Sequence, residues 1–338
     1  MRFAIIGIGN IAPVHAAAIR ALPDSQIVAV ATRNEERGRA FAGQHGGAWF
    51  ADYEALLKEA RPDVVAICAP HDLHLPMTVA AAQAGSHVLC EKPMARTAEE
   101  CDAMIAACEA AGVKLGIAFQ GRFEPLSLKL KAGLDAGKVG RLLWSSANTL
   151  WPRTDAYYRT GPWRGTWAHE GGGVLINQAI HAIDLLLWLS GMPEKITARI
   201  RTLNHQIEVE DAALGILEYA DGRLGLIQAT TIAHPGFPER LEFFGARGSA
   251  VYNKGEARLE WRIAEPPEES VEQAEVSSGA ARPMDITAAG HTALYRDFVA
   301  AIEEGRKPLV DGPEGRKSVA VVEAIYRSAE SGETVRPA

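Results

Sequence analysis

The chain has 338 residues, 47% hydrophobic and 23% charged, with a formal net charge of −7 at pH 7. That length exceeds one ordinary core, so two domains are expected. The acidic balance, with no basic stripe, argues against nucleic acid as a partner and against attraction to anionic membranes.

The first predicted strand starts at Arg2, so no leader peptide is expected. The longest apolar run, Ile183–Leu189, is too short to span a bilayer and contains Asp184. Cys68, Cys90, Cys101 and Cys108 match no metal-binding spacing. Reduced, mostly buried thiols in a cytoplasmic protein are the expectation.

Residues 2–122 alternate strand and helix. Apolar runs at Phe3–Ile6, Ile27–Ala31, Val64–Ala69, His87–Cys90 and Leu115–Phe119 predict a parallel sheet covered on both faces. After the first strand comes Gly7-Ile8-Gly9-Asn10-Ile11-Ala12. Gly7 permits a tight turn, Gly9 lets backbone approach a pyrophosphate, and Ala12 allows close helix–strand packing. The following helix N-terminus adds N–H groups and positive potential. In this strand–turn–helix context the motif predicts dinucleotide binding. The second strand runs into Thr32-Arg33, where an NAD-preferring protein usually carries Asp or Glu. Arg33 suits a 2′-phosphate, so the expectation leans to NADP over NAD.

His71 and His74 follow the run Val64–Ala69 and are expected to face the nicotinamide region. They lack further partners, so no metal site is assigned. Glu91-Lys92-Pro93 follows His87–Cys90. Ligands of an open parallel sheet bind beyond the carboxyl ends of its strands. A lysine there can hydrogen-bond a substrate hydroxyl and stabilise a developing alkoxide. Thr97-Ala98-Glu99-Glu100 reads as a capping box opening a helix that ends near Gly112.

The pattern changes after Phe123. A helix over about Leu126–Ala136 leads to a strand, Leu142–Thr149. The stretch Trp151–Glu170 is aromatic and glycine-rich. Trp163 and Arg164, with Tyr157 and Tyr158, offer flat apolar surfaces and donors suited to sugar rings. A packed loop or a subunit contact is the alternative. A helix then carries Asn177, His181 and Asp184 at i, i+4 and i+7, on one face. These groups are costly to bury without partners, which points to a site. His181 could act as general base, since an unperturbed imidazole titrates near the working pH. Asp184 could fix its tautomer or anchor the helix.

From Lys195 to Ile263 the chain is β-rich. Ala212–Tyr219 and Leu224–Thr231 flank Asp221-Gly222, a hairpin signal. With Ile196–Thr202, Arg240–Gly245, Ala250–Asn253 and Arg258–Arg262 they predict one large open antiparallel sheet. Residues 264–290, rich in Glu, Pro, Ser and Ala, read as a long loop. Helices near His291–Glu304 and Glu314–Glu330 close the chain.

Together these residues resemble the glucose–fructose oxidoreductase / inositol dehydrogenase (Gfo/Idh/MocA) family. The resemblance covers essentially the whole chain. It rests on the glycine motif, His74, Glu91-Lys92-Pro93, Gln120-Gly121-Arg122-Phe123, the Gly171–Asp184 helix and the Phe298–Tyr326 region. It implies an α/β protein with two domains. Residues 1–122 would form a doubly wound Rossmann domain. Residues 123–338 would form a substrate-binding and oligomerisation domain with a large open sheet, and the C-terminal helices could pack back on the first domain. It implies hydride transfer between NAD(P) and a sugar or polyol, with Lys92 and His181 as catalytic pair. Many members carry Asp at the position of Asn177. An amide cannot act as a base, so the proton goes to His181 or through Lys92. Asn177-Gln178-Ala179-Ile180-His181 is similar to the branch containing UDP-N-acetylglucosamine 3-dehydrogenases, which is too broad to name a substrate.

The expected cofactor contacts are Gly7, Gly9, Asn10, Ile11, Thr32, Arg33, Ala69, His71, His74, Glu91, Lys92 and Gln120. The expected substrate contacts are Asn177, Arg122, Trp163, Arg164, Tyr158 and Asp184. A homodimer or homotetramer is expected, because an open sheet leaves one face needing burial. Two other classes stay open: a glycoside hydrolase with tightly held NAD, and a non-catalytic sensor.

Overall fold

The computed structural model describes residues 1–264, 268–274 and 288–338. They divide into two compact units. The first takes the described residues of Met1–Gln120 and Thr287–Arg316, and the second those of Gly121–Ile286 and Lys317–Ala338.

The first unit alternates β1 (Arg2–Ile6), α1 (Ala12–Arg20), β2 (Gln26–Ala31), α2 (Glu35–His45), β3 (Ala48–Phe50) and α3 (Tyr53–Ala60). It continues with β4 (Val64–Ile67), α4 (His74–Gln83), β5 (His87–Cys90), α5 (Ala98–Ala110) and β6 (Leu115–Ile117). The six strands pair in parallel in the order β3-β2-β1-β4-β5-β6. β4 is buried along its whole length, as strands covered on both faces must be. β3 was not among the predicted strands. Its three residues, Ala48-Trp49-Phe50, are apolar but lie at the sheet edge, half-buried or exposed, and the run is too short to mark a strand.

Helix starts follow side-chain chemistry. Asn34 and Asp52 cap α2 and α3. Thr97 Oγ1 accepts from Glu100 N–H at 3.1 Å, as expected. The return arm of the predicted box differs. Glu100 accepts the Arg96 N–H, not that of Thr97, and pairs with the Arg96 guanidinium.

The second unit contains α6 (Pro125–Asp135), β7 (Leu142–Leu150), the single turn α7 (Asp155–Tyr158) and α8 (Ile180–Ser190). Its sheet adds β8 (Lys195–Arg201), β9 (Ala212–Glu218), β10 (Leu224–Thr230), β11 (Arg240–Gly245), β12 (Gly248–Asn253), β13 (Arg258–Ile263) and β14 (Glu268–Gln273). The order is β14-β13-β12-β11-β7-β10-β9-β8. Pairing is antiparallel except between β7 and β10, which run parallel. The Asp221-Gly222 hairpin forms between β9 and β10, with Gly222 at φ +84°. α8 packs on β7 and β11, and α6 on β13. The closing helices are α9 (Ala289–Glu303) and α10 (Gly312–Ser331), and the unit boundary falls within α10.

The long loop expected over 264–290 needs correction. Glu268–Gln273 forms β14, paired with β13, and α9 already starts at Ala289. The sequence Glu-Glu-Ser-Val-Glu-Gln hides this edge strand, because only Val271 is apolar. Residues 265–267 and 275–287 lie outside the described residues. All four cysteines are buried free thiols. Among the described residues no helix is long and apolar enough to cross a membrane.

Candidate active site

The glycine turn is fixed by geometry that a side chain would break. Gly7 sits at φ +88°, and a Cβ there would lie 2.5 Å from the Cys68 carbonyl oxygen. Its N–H donates to Ala31 O at 2.9 Å. At Gly9 the place of a Cβ is open, with Cys68 O the nearest atom at 3.9 Å. Gly9 and Asn10 are exposed and Ile11 is half-buried. No side chain caps the start of α1; Ala12 N–H donates to Gly9 O at 3.1 Å and Pro13 has no N–H. The space left open at Gly9 is what a pyrophosphate approaching the turn requires. Past β2, Thr32 is half-buried with its carbonyl accepting Trp49 Nε1–H at 3.0 Å, and Arg33 is exposed. Arg37, not foreseen, donates from Nη2 to Ile8 O at 3.1 Å and ties α2 to the turn.

Lys92 lies just past the end of β5, half-buried. Its N–H donates to Glu91 Oε2 at 3.1 Å. Glu91 is 7% exposed, and His15 Nε2 lies 2.7 Å from its Oε1. Behind His15, Nδ1 is 2.8 Å from the Tyr295 hydroxyl. Burial alone would push the Glu91 carboxyl up. The imidazoles of His15 and His291 outweigh it and hold the group well below the usual carboxylate range. Glu91 was expected to touch cofactor. The structure turns it inward, where it fixes the backbone of Lys92.

His15, Glu91 and His291 also form the one cluster among the described residues with a metal-ligand arrangement. The 2.7 Å contact is a hydrogen bond, shorter than the roughly 3.3 Å between two ligands of a tetrahedral ion.

His74 needs a similar correction. It is fully buried, with Nδ1 2.9 Å from Pro93 O and Nε2 3.0 Å from Ala69 O. Burial favours the neutral ring, which donates to one of these two carbonyls and sits closed in between the loops after β4 and β5. His71 is buried beside it, with ring centroids 5.8 Å apart. Ala69 and Gln120 are half-buried.

In the second unit, the helix read as continuous through Asp184 changes type. Leu175–Ala179 is π-helical and α8 begins only at Ile180. The wider i→i+5 turn removes the regular stacking expected of Asn177 and His181. The three polar residues therefore go to different places. Asp184 is 1% exposed and takes Arg122 in a bidentate pair, Nε–Oδ2 2.9 Å and Nη2–Oδ1 2.7 Å. Arg122 is also 1% exposed and stacks over Trp188 at 5.7 Å. Both were expected to contact substrate; the geometry makes them an anchor for α8. Asn177 donates to Glu170 Oε1 and, at 3.3 Å, to the Tyr157 hydroxyl. His181 is half-buried on the first turn of α8. Tyr158 bonds Thr231 at 2.9 Å, and the Trp163 ring lies under the Arg164 guanidinium at 4.3 Å.

Glu210 was missed. It is fully buried and holds the start of the π turn, accepting from Gly173 N–H at 2.9 Å, Leu175 N–H at 3.0 Å and Tyr326 Oη at 2.9 Å. Burial pushes its carboxyl up to about 7, against these donors. A raised folded-state value means that stability is lost as pH climbs from the ordinary carboxylate range through about 7. The total is about 3 kcal/mol. Urea unfolding from about pH 5 to about pH 8 is expected to show this fall in the wild type and a flatter profile in Glu210→Gln. Identical profiles would contradict it. No local pattern marks Glu210, because its partners are 35 or more positions away. Gln178, whose partner Tyr157 is 21 positions away, escaped for the same kind of reason; Glu170 was also missed, although Gly165 and Asn177 lie only 5 and 7 positions from it.

A parallel sheet in this order, with an open glycine turn beneath an uncapped helix start, defines a dinucleotide-binding domain of the dehydrogenase type. Comparison with known proteins agrees. Residues 1–119 match the oxidoreductase family model with NAD-binding Rossmann fold, and residues 127–251 match the GFO/IDH/MocA C-terminal domain. The inositol 2-dehydrogenase of Rhizobium meliloti is 27% identical, over 97% of this chain and 96% of its own. The D-xylose 1-dehydrogenase (NADP(+)) 2 of Haloferax volcanii is 29% identical over 99% of each chain. The crystal structure of the WlbA dehydrogenase from Bordetella pertussis, in complex with NADH and UDP-GlcNAcA, is 30% identical. It superposes with a TM-score of 0.86, covering 99% of this chain and 98% of that one. The chain belongs to the Gfo/Idh/MocA family of oxidoreductases.

Proposed function

We propose that the protein transfers hydride between nicotinamide C4 and a secondary hydroxyl or ketone of a sugar, sugar derivative or cyclitol. The observation that carries this reading is Lys92 past the carboxyl end of β5, in the sheet whose Gly7 turn leaves room for a pyrophosphate. Bound nicotinamide supplies the hydride acceptor or donor. Gly7, Gly9, Asn10, Ile11, Thr32 and Arg33 would hold it. Lys92 donates a hydrogen bond to the substrate oxygen and stabilises its negative charge. His181 takes the hydroxyl proton on oxidation and returns it on reduction. Asn177 orients a hydroxyl. Relatives named as dehydrogenases of inositol and xylose support net redox turnover over the hydrolase and sensor alternatives. A screen of sugars, cyclitols and nucleotide sugars with NAD+ and NADP+, read by nicotinamide absorbance, tests it. Turnover of at least one is expected. None, with no cofactor bound, would overturn the reading.

The lean to NADP rests on exposed Arg33 in place of an acidic residue. Relatives bind NADH or are named for NADP, so the family does not decide. Arg33→Ala is expected to weaken NADP binding about 10-fold and NAD binding little. Unchanged NADP affinity by calorimetry would remove the argument.

A homodimer or homotetramer through the second sheet is the assembly that fits. Leu214 is 53% exposed, Ile216 49% and Leu224 45%, with Phe244 beside them. The strand registers place all four on one face. Light scattering is expected to give a multiple of 36.3 kDa. A monomer at micromolar concentration would contradict it. Four buried free thiols support a reducing, cytoplasmic setting.

A further inference from the structure

The loop between β7 and the π turn holds an arginine in an unusual setting. The Arg164 guanidinium lies between two rings, 4.3 Å from the Tyr157 centroid and 4.3 Å from that of Trp163. Its Nε donates to Thr160 Oγ1 at 3.0 Å, and its Nη1 to the Tyr157 hydroxyl. Glu170 stands 4.0 Å from Nη1. Nη2 has no partner among the described residues, and the side chain is 17% exposed. Such a group has already lost its rotamer freedom and most of its hydration. Three of its five N–H bonds lack an acceptor among the described residues.

Two further facts place and charge this group. The Tyr157 hydroxyl that accepts from Arg164 also accepts from Asn177 at 3.3 Å and Gln178 at 3.0 Å. Arg164 and Asn177 are therefore near neighbours, and Asn177 lies one turn before His181. A second cation, Arg153, lies 5.2 Å from the same Tyr157 ring. Glu170 stands near Arg164, and its oxygens already serve Asn177 and the Gly165 N–H.

We propose that Arg164 is the subsite for an anionic group on the sugar, a carboxylate or a phosphate. The substrate class is then an acidic sugar. A planar fork matches either anion through two parallel hydrogen bonds, and the aromatic clamp lowers the entropy lost on binding. A neutral hydroxymethyl group offers one acceptor and no charge, so it gains less from the same arginine. This inference rests on the hydride-transfer reading above.

The test is calorimetry of the protein saturated with NADH. Probes are glucuronate, galacturonate and mannuronate, the methyl ester of each, and a hexose phosphate. At least one acid is expected to bind about 10-fold or more tighter than its ester. The hexose phosphate arm tells carboxylate from phosphate. Arg164→Gln is expected to remove most of the preference and Arg164→Lys to keep part of it, since the charge stays and the fork is lost. Retained NADH binding confirms that each variant is folded. No preference for any acid over its ester, together with no binding of the hexose phosphate, would overturn the proposal, as would a preference or phosphate binding that survives Arg164→Gln. Tight acid binding without oxidation of any sugar would leave the subsite standing and contradict the hydride-transfer reading instead.

Discussion

Lys92→Ala and His181→Ala are each expected to lower turnover by at least about 10²-fold while cofactor affinity stays near the wild-type value. Neither residue lies in the Gly7–Ala12 turn, so most of the dinucleotide's affinity is expected to remain, even though Lys92 is also an expected cofactor contact. Lys92 has its backbone fixed by Glu91, itself locked to His15. His181 sits on the first turn of α8, which Asp184 and Arg122 anchor. Asn177→Ala is expected to raise KM more than it lowers kcat, since an amide orients but cannot deprotonate. Near-normal turnover of His181→Ala across the neutral range would move the proton to Lys92 or to a water chain.

The second large effect concerns stability. Arg122→Ala or Asp184→Ala is expected to cost about 3–5 kcal/mol, because each strands a buried charge. The two side chains are 1% exposed, so water cannot replace the lost partner. Replacing both, as in Arg122→Met with Asp184→Leu, should recover much of that loss. Denaturant unfolding of the four proteins gives the numbers. Single substitutions costing under about 1 kcal/mol would mean that the pair does not hold α8.

What the sequence discloses depends on how far apart the cooperating residues lie. The parallel sheet was legible because buried strands such as Val64–Ile67 are apolar throughout. The Gly7 turn was legible because strand, glycine and helix follow within a dozen residues. The Asp221-Gly222 hairpin needs two residues only. Asp184 could be singled out as a polar residue on an apolar helix, but not its partner Arg122, 62 positions earlier. The π turn over Leu175–Ala179 has no local pattern, since Glu210 and Tyr326 reach its start from distant segments. β14 escaped because its alternation is between polar residues, and β3 because it is three residues long.

The central claim is that hydride leaves a sugar carbon for a nicotinamide that then departs. A substrate deuterated at the reacting carbon, incubated with excess oxidised cofactor, tests it directly. The account predicts deuterium in the released reduced nicotinamide and a slower rate than with the unlabelled sugar. Deuterium kept in the product or lost to water, with no reduced cofactor released, would contradict it.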